Sequence, residues 1–310
     1  MPIVFPLDLR RVEVTGDDRV RYLEDVTSQA LASAPPGTVH GALYLDVHGA
    51  PQAMFDVAVL PDRLALLVPA DAEAVVVEQL GGRTFLLDAR FAATDHVVVA
   101  LRDDDDGAVA RAAGLHARTG RCHPGGDVLV IGRDGGVDVV GPTGAVEGAV
   151  TALLDAGATR GDATDAERWR IAAGQPAWGV EVTSPHLPEE LGLLPTHVHL
   201  AKGCYPGQEA VARMWMLGRP RRRLARVAVH GEVAPGWEAG SGRRKVRVTS
   251  LAPDGGEALA FVPGDVEVGA TLPEDGDHEG GPHVEVVALV GDTATPPGAD
   301  PDVTRRRDRR

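Results

Sequence analysis

The chain has 310 residues, 44% hydrophobic and 25% charged, the composition of an ordinary globular protein with enough length for two or three domains. Thirty-one basic against 45 acidic residues leave a formal charge of −14, which repels a phosphate backbone and disfavours nucleic acid as a partner. Two cysteines are too few for a disulfide framework or a four-thiolate metal site, no apolar run reaches the roughly 18 residues of a membrane span, and the N-terminus lacks a signal-peptide pattern, so a reduced, cytoplasmic protein is expected.

In chain order, apolar alternation predicts a strand over 11–15. Gly16-Asp17-Asp18 then opens a helix with Val20, Leu23, Val26 and Leu31 on its apolar face, stopped by Pro35-Pro36-Gly37. Strands over 42–47 and 54–60 flank a turn at His48-Gly49-Ala50-Pro51, and 64–68 makes a third. A helix over 72–80, a strand over 96–101, a solvated acidic loop at 103–106 and a short helix over 108–115 follow. Strands over 128–131 and 137–140 meet at Asp134-Gly135-Gly136, a hairpin-type turn. Helices over 145–156 and 162–173 precede a loop-rich stretch, in which His197-Val198-His199 reads as a strand with two imidazoles on one side. A third metal ligand at a recognisable spacing is missing, so no metal site is expected. After Gly218 helical periodicity ends. Short strands at 223–230, 245–250, 259–262 and 284–290, between Gly- and Pro-rich turns, predict a small β-barrel or sandwich, and the tail from Asp292 reads as disordered.

The stretch dense in special residues is Lys202-Gly203-Cys204-Tyr205-Pro206-Gly207-Gln208-Glu209. Pro206 and Gly207 suit the two central positions of a type II turn, and 208–213 begins a helix. Lys202 and Arg213 place positive charge near a thiol at a helix start, which offers a reactive thiolate in a tight loop. The plain alternative is a small buried hydrophobe.

Lys202-Gly203-Cys204-Tyr205-x-Gly207-Gln208-Glu209, followed by Arg213 and Gly218, resembles the signature of YgfZ-type folate-binding proteins. These are relatives of the glycine-cleavage T-protein (aminomethyltransferase) and are implicated in iron–sulfur protein maturation. Val14-Thr15-Gly16-Asp17-Asp18 with Tyr22-Leu23, Arg170-Ile171-x-x-Gly174, Trp178-Gly179 and Pro188-Glu189-Glu190 extend the resemblance along most of the chain, up to about Asp292. It implies an α+β fold of three small domains in a ring around a central folate-binding hole, the last a β-barrel. The implied organisation is a folate-binding region at 1–218 made of two α/β subdomains, a barrel at 219–291 and a disordered tail at 292–310.

The resemblance further implies tetrahydrofolate, or a one-carbon derivative, as cofactor, and iron–sulfur client or assembly proteins as partners. It puts Cys204 and Lys202 at the chemistry. Asp138, in Gly136-Val137-Asp138-Val139, matches an acid that receives the pterin N–H groups. Arg170 is expected on the folate tail or an acidic partner residue, and Glu190 at the central hole or capping a loop. Tyr205, Gln208, Glu209 and Arg213 join the cofactor-binding set. The transferase branch carries an acidic pair where this chain has Ala53 and Met54, and Asp56 lies about 7 Å further along the face of Met54. Support of iron–sulfur proteins is therefore the first expectation, folate-dependent aminomethyl or methyl transfer or demethylation the second, and a non-catalytic interaction module the third.

Overall fold

The computed structural model describes residues 1–217, 220–273, 281–292 and 294–307, so Gly218 of the signature, Arg219 and the last residues of the tail lie outside the described residues. The chain divides into two compact units, Met1–Leu43 with Ala53–Ala166, and Tyr44–Gln52 with Glu167–Arg310.

The first unit is built on two sheets. One runs in the order Thr159–Arg160, Ile3–Leu7, Val97–Arg102, Gly136–Gly141, Val128–Arg133, Cys122–Gly125, antiparallel except for its first pair. The other, apart from its hairpin tip Tyr44–Gln52, which counts with the second unit, runs Val39–Leu45, Pro51–Val59, Leu64–Pro69, Leu9–Thr15, Arg90–Ala93. Strand alternation sorts the first sheet's apolar residues between two cores. Val130, Val137 and Val139 turn to the helix Thr143–Asp155, through Val146, Val150 and Leu153. Leu129, Ile131 and Val140, of the opposite parity, pack with Ala58, Ala65 and Leu67 of the second sheet. Every residue of Gly136–Gly141 is buried, as befits a strand covered on both faces, and Asp138 is its single charge.

The second unit carries an antiparallel six-stranded sheet in the order Glu238–Ala239, Val246–Leu251, Glu257–Pro263, Arg222–His230, His283–Leu289, Thr271–Leu272. Its core is Ala225, Val227, Val246, Val248, Ala258, Ala260, Val262, Val284 and Val286, the alternate positions that period 2 selects. Both outer strands are two residues long, which limits the unpaired edge.

Several elements differ from the sequence expectation for identifiable reasons. The first helix is Arg19–Val26 and stops short of Leu31, because the Thr27 hydroxyl donates back to the Leu23 carbonyl and the Ser28 amide bonds the Leu43 carbonyl. The helix expected over 72–80 is wound with i→i+5 bonds over Val75–Leu80, where three consecutive β-branched valines crowd a regular α-turn. Edge strand Cys122–Gly125 was hidden by Pro124, and strand Ile3–Leu7 by Pro6. His197 does not lie on a strand: Pro195 starts a one-turn helix, Leu194–His197, so the His197-Val198-His199 alternation is not realised. Within the tail, Pro301–Arg307 is helical.

Candidate functional site

The signature folds into the predicted turn. Gly207 has φ +79°, and the Gln208 amide donates to the Tyr205 carbonyl at 3.3 Å, with Pro206 and Gly207 at the central positions of a type II turn. The helix Gln208–Leu217 follows directly. Gly207 is needed for more than its dihedral, since a Cβ there would lie 2.5 Å from the Asp46 carbonyl oxygen and 2.9 Å from Gly49 Cα. The signature turn therefore rests on a second tight turn, held by Asp46 Oδ1 accepting from the amides of His48 at 2.8 Å and Ala50 at 2.9 Å.

Within this frame the chain goes in, out and in again. Lys202 and Tyr205 are buried, whereas Gly203 and Cys204 between them are exposed. The Lys202 ammonium sits 5.1 Å from the centre of the Tyr205 ring, a cation–π distance, and the Gln208 side-chain amide donates to the Lys202 carbonyl at 3.3 Å. Burial pushes the Tyr205 hydroxyl up to about 12. Of the two free thiols, Cys122 is buried, and burial pushes it up, while Cys204 is exposed. Glu209 and Arg213 are exposed on the helix that follows.

The other candidate residues are engaged inside the protein. Asp138 shares the face of Val140, toward the second sheet of its unit, and is 1% exposed. Its Oδ1 accepts from Arg102 Nη2 at 2.6 Å and its Oδ2 from Arg133 Nε at 2.7 Å, while Arg133 Nη2 also reaches Asp56 Oδ2 at 2.5 Å. The four side chains form an alternating chain of charge. Burial alone would raise the Asp138 carboxyl, but the two guanidinium groups outweigh it and hold the carboxyl below the usual range. The same network occupies Asp56, while Ala53 is fully buried in its strand.

Arg170 holds Glu167 at 2.6 Å, Glu181 at 3.2 Å and the Ser250 hydroxyl oxygen at 2.7 Å. Glu181, fully buried, also accepts from the Ser250 hydroxyl at 2.6 Å and the Ala177 amide at 2.9 Å. Sequence reasoning missed Glu181 because it lies in a turn without periodicity, and Ser250 because it follows Val246 and Val248 on the buried face of its strand as a lone hydroxyl; the one available signal was an acid eleven positions after Arg170. Glu190 is buried and accepts from the Leu187 amide at 3.1 Å and Arg222 Nε at 3.2 Å, so it caps a loop. Burial raises its carboxyl, yet His186, the Leu187 amide and Arg222 together bring it below the usual range. Leu187 belongs to the signature frame too, since a Cβ on Gly49 would lie 3.2 Å from its Cδ2.

The second unit thus brings together Lys202, Cys204, Tyr205, Gln208, Glu209 and Arg213 on one turn and helix; Asp138 belongs to the first unit. Among the described residues no group of three or more His, Cys, Asp or Glu is placed to hold a metal ion. A pterin edge needs a carboxylate with free acceptor directions. Each oxygen of Asp138 accepts one guanidinium N–H group, which takes about half of its acceptor directions, and its side chain is buried, whereas Glu209 is exposed.

Taken together, the sheets described above make a mixed α+β fold. The crystal structure of the glycine cleavage system aminomethyltransferase T from Bartonella henselae matches it with a TM-score of 0.77, over 95% of this chain and 87% of that one, at 20% identity. A chain of the heterotetrameric sarcosine oxidase from Corynebacterium sp. U-96 matches 49% of this chain and 82% of its own at 14% identity, with a TM-score of only 0.34. No protein-family model and no curated protein matches the sequence. Among the described residues no helix is long and apolar enough to cross a membrane.

Proposed function

We propose that this chain binds tetrahydrofolate, or a one-carbon derivative of it, and supports the assembly or repair of iron–sulfur proteins, with Cys204 as the working thiol. The observation that carries this reading is the presentation of Cys204, exposed between the buried Lys202 and Tyr205 on a turn locked from beneath by Asp46–Ala50. A sulfur held out in this way meets a partner protein without rearrangement of its loop. One thiol does not hold a [4Fe–4S] cluster by itself, so the role is thiol transfer or transient contact with a client.

In this reading 1–218 is the folate-binding region, 219–291 the C-terminal β-barrel of a three-part ring, and the folate occupies the central hole, as the signature resemblance implies. Exposed Glu209 and Arg213 offer charges for the pterin N–H groups and the folate tail, with Gln208, Tyr205 and Lys202 shaping the turn beside them. Asp138, Arg170 and Glu190 hold the framework through the ion pairs they already make. The fold favours a second reading, folate-dependent aminomethyl transfer. Ala53 and Met54 stand against it, together with Asp56, which is tied to Arg133.

Calorimetric titration with tetrahydrofolate tests the ligand, and heat of binding is expected. Cys204→Ala is expected to keep that heat while losing activation of an iron–sulfur client enzyme. Absence of heat sinks both folate readings; release of methylene-tetrahydrofolate from an amine substrate selects the second.

A further inference from the structure

We propose that the C-terminal segment at 296–299 is a strap that positions the Cys204 loop. The Pro297 carbonyl accepts from the Leu200 amide at 2.8 Å. Gly298, at φ +71°, comes so close that a Cβ on it would lie 2.6 Å from the Ala201 nitrogen, 2.7 Å from His199 Cε1 and 2.8 Å from Ala201 Cβ. The Ala299 amide closes a turn onto the Pro296 carbonyl at 3.2 Å, and Pro296 is buried. The tail is led to this position by Val290, whose amide donates to the Leu224 carbonyl at 3.0 Å, and by an Arg223–Asp292 ion pair at 2.6 Å.

The stretch that the strap holds runs straight into the signature. The Lys202 amide donates to the His199 carbonyl at 3.3 Å, and the Lys202 carbonyl receives the Gln208 side chain. The loop is therefore fixed at both ends, by the strap at Leu200–Ala201 and by the Asp46–Ala50 turn at Gly207. Gly203 and Cys204 are the exposed residues of the span between these fixed points. Prolines at 296 and 297 reduce the conformational freedom the strap loses on docking. Among the described residues, one backbone hydrogen bond and one close glycine contact make a hold that a local change can release. The purpose of such a hold rests on the reading of Cys204 given above; the hold itself does not.

Lys202 and Lys245 are the only lysines of the chain, so a lysine-specific endoprotease has two sites, one buried beside the strap and one with a half-exposed side chain to serve as internal reference. Gly298→Val forces the strap off. It is expected to raise the rate of cutting after Lys202, relative to Lys245, by about tenfold, the scale set by losing a hydrogen bond and its packing. Gly255→Val, which imposes the same kind of strain at φ +77° in open space, is expected to leave the ratio unchanged. A chain ending at residue 292 is expected to behave as Gly298→Val does, and it decides the matter if Gly298→Val is cut fast at both sites. Native-like protection of Lys202 in both the valine variant and the shortened chain overturns the proposal. Folate heat and client activation are not read in this assay, so the functional reading and the strap fail separately.

Discussion

Cys204 and Tyr205 are adjacent in sequence and opposite in environment. Tyr205 is buried with its hydroxyl pushed up to about 12, and its raised value ties pH to stability. The neutral phenol belongs to the folded state, so its contribution is full below the unfolded value of about 10 and is lost as pH rises toward 12. Ultraviolet titration of the native chain is expected to differ from that of Tyr205→Phe by a late phenolate step; a difference already complete near pH 10, or none at all, contradicts the burial. Cys204, by contrast, points outward, and Cys204→Ala is expected to change unfolding free energy by no more than about 0.5 kcal/mol. A drop of several kcal/mol in a denaturant melt means that the sulfur is packing after all.

At the scale of elements, two constructions set the geometry. The first is turn on turn. Gly207→Ala places a Cβ at φ +79° against the Asp46 carbonyl, and a loss of about 1–3 kcal/mol is expected from strain and displaced packing. Urea unfolding measures it, and a neutral result removes the Asp46–Ala50 turn as the support of the signature. The second is the charge chain Asp56–Arg133–Asp138–Arg102 between the two sheets of the first unit. Asp138→Asn leaves two guanidinium groups short of a countercharge, and about 3–5 kcal/mol of destabilisation is expected. Because the folded carboxyl titrates below its ordinary value, its contribution is present above that ordinary value and vanishes as pH falls through the folded one. The variant should therefore show a flatter acid limb in stability against pH than the native chain.

For the molecule as a whole, tetrahydrofolate bound only by the native state should stabilise it by about 2.7 kcal/mol at roughly 100 times Kd, visible as a rise in Tm. An unmoved Tm at saturating ligand refutes folate binding by the folded chain. What the amino-acid order determined by itself is local. The Pro206-Gly207 turn, the helix beginning at Gln208 and the strands around Leu64–Pro69, Val128–Arg133 and Gly136–Gly141 follow from dihedral preference and period-2 burial, which act over a few residues. Tertiary structure alone decided that Asp138 meets Arg102 and Arg133, that Glu181 closes on Arg170 and Ser250, and that a polar, proline-rich tail lies along Leu200 and Ala201. Those outcomes depend on which charges and amides converge from distant strands and loops. A buried polar group must find its partner through space, and neighbours in sequence carry no record of which partner that is.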